Sequence, residues 1–253
     1  MTVLLDVEPI RPAEGEVTAA KRLLERLCRS HGRFFDAVVA DSIYLQAPFI
    51  HSCLALGKHV VAVLKDNNPA LLQDARGVFQ LVEPIKWEQP GKVIRAWDAE
   101  GFTTNDQIRQ PVRVVRAQET TTRRQRTAGQ WHSRTDVADW WWCTTIPNKH
   151  LRTAQLVAVG HRRWDIENKA FNVLVNDWSM DHCFKHDPVA IINFVLTLFI
   201  AFVLVQSFYK RNLRPQLRAI LTSLVSLTAE LHASLAGHPR QAPWLYRPAA
   251  APP

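Results

Sequence analysis

FDAVVADSIYLQAPFIHSCLALGKHVVAVLKDNN, residues 35–68, reads as strand, helix and strand in succession. With Asp36 set aside, residues 35–40 are a continuous apolar run. Its length and paired valines suit a strand buried on both faces, as in a parallel sheet. The run stops at Asp41. Residues 44–56 can form the next helix, with Pro48 near its first turn and Gly57 to close it. Residues 60–64 are a second buried strand, ended by the polar run Lys65-Asp66-Asn67-Asn68. Upstream, Val17, Ala20, Leu23, Leu24 and Leu27 give residues 14–29 the spacing of an amphipathic helix. Residues 3–10 are expected as a short strand closed by Arg11-Pro12. The first seventy residues thus alternate β-α-β-α-β, the order of an α/β sheet containing parallel strands.

Downstream the pattern changes. Residues 79–142 hold short alternating runs (82–87, 92–97, 112–117), punctuated by Gly91, Gly101, Gly129, Pro84, Pro90 and Pro111. This predicts antiparallel strands and loops inserted into the α/β frame over about residues 77–147. Charge concentrates there. Between Gln107 and Arg134 stand Arg109, Arg113, Arg116, Arg123, Arg124, Arg126 and Arg134, against one acid, Glu119. Such a stretch is either a solvated loop or a surface that neutralises phosphates. The whole chain has 31 Lys and Arg against 23 Asp and Glu, a formal charge of +8, which favours a polyanionic partner.

Apolar residues make up 47% of the 253, which excludes a disordered chain. Cys28, Cys53, Cys143 and Cys183 are scattered without a CxxC pair, which excludes a zinc ribbon and a dense disulfide framework. A reducing cytoplasm is the simplest setting. The N-terminus carries an acid early and no basic segment before its short apolar stretch, unlike a signal peptide. The spacing of His182, Cys183 and His186 matches no four-ligand zinc site.

Trp140-Trp141-Trp142 leads into Cys143-Thr144-Thr145-Ile146-Pro147, a predicted strand. Three consecutive tryptophans cannot face one side of a strand, so core packing for one and base stacking for another are both open. Residues 161–175 are predicted as one helix, with Trp164, Ile166, Ala170, Phe171, Val173 and Leu174 at its apolar positions. Asp187-Pro188 opens an apolar run over residues 189–205, interrupted only by Asn193 and Thr197. Its 17 residues fall short of the ~20 of a spanning helix, leaving a buried core helix or a single membrane span. Residues 217–235 form a last amphipathic helix, and the Pro- and Ala-rich tail, 237–253, is expected to be disordered.

Two acids stand out by position. Asp41 ends a buried strand, where open α/β sheets place ligand chemistry, although an acid there is ordinarily a turn or cap residue. Glu167 lies within the 161–175 helix, four residues after Arg163 and so on one helical face with it. Such a pair is ordinarily a surface ion pair of about 0.3–0.5 kcal/mol.

In combination, FFDAVVADSIYLQAPFI (34–50) with VVAVLKDN (60–67), WWWCTTIP (140–147) and HRRWDIENKAFNVLVNDWSMDHCFKHDPVAIINFVLTLFIAF (161–202) resemble the catalytic domain of bacterial insertion-sequence transposases. These are DDE-class enzymes, and the branch is the insertion-sequence-four type. The resemblance spans roughly residues 4–210. It implies a ribonuclease-H-like mixed sheet flanked by helices, with a β-rich insertion before the helix carrying the catalytic Glu, all within one catalytic domain over residues 1–236. It implies DNA transposition on double-stranded insertion-sequence ends, as a homodimer on DNA, in the cytoplasm or on the nucleoid, with no membrane role. The run 189–205 then becomes a helix of the core.

In that family three acids hold two Mg²⁺ ions, which stabilise the attacking and leaving oxygens of phosphoryl transfer. By the resemblance Asp41 matches the second acid and Glu167 the third, and both would be catalytic and metal-binding. Arg163 and Lys169 would face DNA phosphate, with Arg123, Arg124 and Arg126 on the basic surface. The first acid belongs on a strand upstream of residues 4–10, and nothing here matches it; Asp6 does not take that role. The family's tyrosine three residues before the motif arginine is Gly160 here, and its lysine seven after the glutamate is Leu174. The resemblance therefore implies a truncated transposase with reduced or no activity. Two rival readings are a non-catalytic DNA-binding remnant and a single-pass membrane protein.

Overall fold

A computed structural model describes residues 2–127, 130–220 and 224–237. The chain divides into two units, residues 8–166 and residues 1–7 with 167–253.

In the first unit, α1 (Glu16–His31) precedes β1 (Ala37–Ala40), α2 (Ala47–Ala55), β2 (His59–Val63) and α3 (Pro69–Gln80). β1 and β2 run parallel, Val38 opposite Val60. The insertion follows as β3 (Ile85–Gln89), β4 (Lys92–Phe102), β5 (Val112–Thr127) and β6 (Gln130–Thr144), antiparallel in sequence. β6 returns to lie antiparallel on β2, so all six strands form one mixed sheet in the order β1-β2-β6-β5-β4-β3. α4 (Thr153–His161) and the single turn α5 (Trp164–Ile166) complete the unit.

The sheet separates two apolar layers. On one face Leu45, Phe49, Ile50, Leu71, Phe79 and Val114 pack with Trp141, which brings in α2 and α3. On the other, Val61, Ile94, Val115 and Trp142 pack under Leu156 and Val157 of α4. The tryptophan triplet obeys strand alternation. Trp140 and Trp142 stack on the α4 face with ring centroids 6.3 Å apart, while Trp141 stacks on Phe79 at 5.7 Å on the other. Trp141 and Trp142 are buried by this packing, and Trp140 is half-buried. This mixed sheet flanked by helices, with an inserted run of antiparallel strands, has the form of a ribonuclease-H-like α/β fold.

A buried ion pair ties the loop before α4 to the sheet. Arg113 of β5 donates to both carboxylate oxygens of Asp98 on β4, at 2.8 and 2.6 Å. It also donates to the carbonyl of Leu151 at 2.7 Å. Asp98 Oδ2 further accepts from Thr153 Oγ1 at 2.6 Å and from Asn148 Nδ2 at 2.9 Å.

In the second unit, the π-helical turn Glu167–Phe171 leads into α6 (Asn172–Trp178), then α7 (Pro188–Arg211), α8 (Pro215–Ile220) and α9 (Leu224–Leu235). Leu4 and Val7 pack with Leu174, Phe199 and Phe202. The segment expected as a strand over residues 3–10 is irregular and joins no sheet: some of its apolar side chains are placed on helices, and Val3, Leu5 and Ile10 stay exposed.

The expected burial of residues 189–205 is met only in part. α7 spans 24 residues, about 36 Å at 1.5 Å per residue, and its best window has mean hydropathy 2.7. Only Phe199 and Phe202 are buried, while Ile200 and Leu204 are each 63% exposed. The exposed positions fall mainly on one stripe, Val189, Asn193, Thr197, Ile200 and Leu204, and most of the other positions are buried or half-buried. Among the described residues it is the one helix long and apolar enough to cross a membrane. The predicted last helix, 217–235, is represented by α8 and α9, with residues 221–223 outside the described residues, as is the tail beyond Gly237.

Candidate active site

Asp41 follows β1 directly. Its Oδ1 accepts the Ser42 N–H at 2.7 Å and caps the 3₁₀ turn Ser42–Tyr44, which is the ordinary role of an acid at a strand end. The same carboxylate also faces two cations. Lys65 Nζ, two residues past β2, lies 3.7 Å from Oδ1. Arg163 Nη1 lies 3.6 Å from Oδ2. Both exceed hydrogen-bond reach, so the attraction is Coulombic. Burial pushes the Asp41 carboxyl upward, but the Ser42 N–H, Lys65 and Arg163 together hold it below the usual aspartate range. The ionised group sits at a cavity of about 300 Å³ that is also lined by Asp66, Arg76, Asp139, Trp140 and Trp164.

Arg163 reaches Asp41 from a turn, not from a helix. α4 ends at His161, Arg162 and Arg163 form the turn, and helical structure resumes at Trp164. The expected helix over 161–175 is therefore interrupted, and the four-residue spacing of Arg163 and Glu167 does not place them on one regular helical face. The Arg163 guanidinium lies over the Trp164 ring at 3.8 Å, and Trp164 meets Trp140 edge-on. In this structure Arg163 serves Asp41 and an aromatic ring.

Two contacts fix the end of α4 that presents Arg163. A Cβ on Gly160 would lie 2.5 Å from the Trp142 ring, so only glycine lets the helix approach that closely. This explains the departure from the tyrosine of the resembled family: the Trp142 ring fills the space a side chain would need. One residue on, His161 Nε2 lies 2.8 Å from Oε1 of Glu119, a buried acid that also accepts from Lys92 Nζ at 2.8 Å. Burial raises the Glu119 carboxyl, but His161 and Lys92 bring it below its ordinary value.

Glu167 opens the π-helical turn, and Lys169 lies within it. π turns recur at functional sites because the extra residue re-aims neighbouring side chains. The seven arginines of the insertion separate by environment. Arg113 is buried in its pair with Asp98, so it is no part of a DNA-facing surface. Arg116 pairs with Asp139 at 2.8 Å and lies over the Trp97 and Trp141 rings at 4.7 and 4.9 Å. Arg134 pairs with Asp136 at 2.8 Å. Arg123, Arg124 and Arg126 stand exposed near the end of the β5–β6 hairpin.

Lys65, Gly160, Glu119 and the Asp98–Arg113 pair escape the sequence reading of the site. Glu119 carried a visible signal, as the lone acid in an arginine-rich stretch.

Two-metal phosphoryl transfer needs several oxygen donors converging on hard cations. Asp41 supplies one carboxylate and holds cationic side chains against it. Among the described residues no three His, Cys, Asp or Glu side chains gather as a metal donor set. The described residues therefore do not fit a complete two-metal centre.

No curated protein matches the chain. Residues 4–204 match the transposase DDE domain, a span that holds both candidate acids, all six strands and most of α7. With the mixed sheet and the acid at the end of its parallel strand, that match means the chain belongs to the DDE transposase domain family.

Proposed function

We propose that this chain is a catalytic domain for DNA transposition of the insertion-sequence-four type, acting on double-stranded insertion-sequence ends. Asp41 and Glu167 are its surviving catalytic acids. The observation that carries the reading is the family match over residues 4–204 together with Asp41 at the C-terminal end of a parallel strand. Asp41 and Glu167 would hold Mg²⁺, which when bound supplies Lewis acidity at the phosphodiester. Arg163 and Lys65 would exchange Asp41 for DNA phosphate as substrate enters, and Lys169 would add a phosphate contact. The basic Arg123, Arg124 and Arg126 add further attraction for DNA. Only two acids match a family pattern of three, so we propose reduced or absent strand cutting by this chain. It would act in the cytoplasm, nucleoid-associated when bound, as a homodimer on DNA.

Iron(II) substituted for Mg²⁺ tests the acid assignment in the intact chain. With ascorbate and peroxide, a shared cation cuts the backbone near residues 41 and 167 together. Excess Mg²⁺ protects both positions, and Asp41→Asn abolishes both cuts. Absence of paired cuts, or cuts at 167 that persist in Asp41→Asn, refutes the assignment.

A second reading, a DNA-binding remnant without chemistry, is favoured by one observation: Asp41 already faces Lys65 and Arg163. It requires salt-sensitive DNA binding without metal-dependent cuts at residues 41 and 167.

A further inference from the structure

The end of the β5–β6 hairpin leaves the sheet. β4 pairs with β5 only as far as Lys92 opposite Thr121, and the Thr122 N–H makes a last bond to the Gly91 carbonyl at 3.1 Å. β2 pairs with β6 only near Trp142 to Thr144. From Thr122 opposite Thr135 outward, β5 and β6 pair with each other alone, through Arg123–Arg134, Arg124–Ser133 and Arg126–Trp131. Residues 131–135 are exposed throughout. About six residues per strand at ~3.3 Å each make an arm of roughly 20 Å. A two-stranded ribbon buries no core and gains little stability on its own.

Its side chains are sorted by alternation. One face carries Thr122, Arg124 and Arg126 with Thr135, Ser133 and Trp131, and no acid. Trp131 is 68% exposed. The other face carries Arg123 directly opposite Arg134, with Asp136 beside Arg134. Like charges directly opposite destabilise a strand pair. Asp136 offsets the charge of Arg134, yet the arm still carries Arg123, Arg124, Arg126 and Arg134 against that one acid, an excess of positive charge that suits a polyanion.

We propose that this ribbon seats in the major groove of duplex DNA, with Arg124, Arg126 and Trp131 toward the base edges and Arg123 and Arg134 toward the flanking phosphates. The inference rests on the transposition reading for its partner. The fit is one of size and charge. The major groove, about 12 Å wide, admits a two-stranded β-ribbon, while the minor groove, about 6 Å wide, does not. Arginine pairs bidentately with guanine, and an apolar ring meets the thymine methyl.

Two double variants of the full chain remove the same charge from opposite faces: Arg124→Gln with Arg126→Gln, and Arg123→Gln with Arg134→Gln. Fluorescence anisotropy on a mixed-sequence duplex reads affinity across a salt series. The groove-face variant should lose at least tenfold more affinity than the other, with its salt dependence nearly unchanged. The outer-face variant should flatten the salt slope by one to two, since each lost phosphate contact removes about 0.9. Methyl green in the major groove should compete with the protein, and netropsin in the minor groove should not. Equal losses from the two variants, no loss from either, competition by netropsin, or preference for single-stranded DNA overturns the proposal. The outcome is separable from the active-site reading: the iron cuts near residues 41 and 167 should persist in both double variants, and failure of those cuts leaves these binding results standing.

Discussion

Asp98→Asn isolates what the buried ion pair contributes. Arg113 is 2% exposed and Asp98 5%, and three groups (Arg113 Nη2, Thr153 Oγ1 and Asn148 Nδ2) all donate to Asp98 Oδ2. Arg113 Nε donates to Oδ1. Asparagine keeps the shape but removes the charge and turns one acceptor into a donor. Whichever way the amide is flipped, one set of donors meets an N–H₂ group. The guanidinium stays charged and buried, because arginine does not deprotonate in proteins.

Removing one partner of a buried pair costs about 3–5 kcal/mol. A domain of ordinary stability has about 5–15 kcal/mol in total, so about a fifth of it or more would go. The control is Asp139→Asn, because the Arg116–Asp139 pair is 27% and 40% exposed and should cost no more than ~1 kcal/mol. Urea unfolding followed by tryptophan fluorescence reports both, since Trp140, Trp141 and Trp142 lie in this unit. A loss below about 1 kcal/mol for Asp98→Asn, or one equal to that of Asp139→Asn, would show that this pair does not hold the loop before α4.

Two further outcomes follow from the same region. Gly160→Ala gains up to about 1 kcal/mol of helix propensity, yet its Cβ would sit 2.5 Å from the buried Trp142 ring. Overpacking at about 1–3 kcal/mol should win, lowering the thermal midpoint, and a raised midpoint would contradict the close approach. Glu119 has its folded carboxyl pKa below its ordinary value, so its contribution is present above the unfolded pKa, about 4.5, and is lost as pH falls through the lower folded value. Glu119→Gln should therefore flatten the acid limb of the stability–pH curve, and an unchanged slope below pH 4.5 would refute the assignment.

The stretch 35–68 was legible because its signals are local. Apolar runs read as the two parallel strands, although only β2 is buried at its centre while β1, at the end of the strand order, is half-buried up to Ala40, and Pro48 and Gly57 punctuate the helix between them. α3 is equally local, with Pro69 at its start and Leu71, Leu72, Ala75 and Phe79 on its buried face, yet residues 69–76, between the polar run 65–68 and the insertion from about residue 77, are assigned to no element from the sequence. Arg113 could not be told from the exposed arginines by composition. Its partner Asp98 lies on the neighbouring strand, and only the β4–β5 register brings the two together. The strand expected over residues 3–10 failed for a related reason. A short apolar run states which side chains want burial but not against what, and Leu4 and Val7 obtained it against helices. For the site, Asp41 was legible from its place after β1. The approach of Lys65 and Arg163 to it depends on where two other elements end.

The position of Arg163 shows why polar contacts, not apolar packing alone, govern this site. Leu156 and Val157 hold α4 to the sheet, but such packing is non-directional, and a helix that shifts along a sheet trades one aliphatic contact for another. Three restraints resist that shift. Thr153, the first residue of α4, is bonded to the same Asp98 oxygen that binds Arg113. Gly160 admits the Trp142 ring at one position only. His161 reaches a single buried carboxylate oxygen. Each fails if the helix moves by one residue, and together they fix where the chain turns at Arg162 and Arg163. Burying Asp98, Arg113 and Glu119 carries a desolvation cost that an aliphatic core would avoid. What the cost secures is register: a guanidinium delivered within 3.6 Å of the one carboxylate that ends β1.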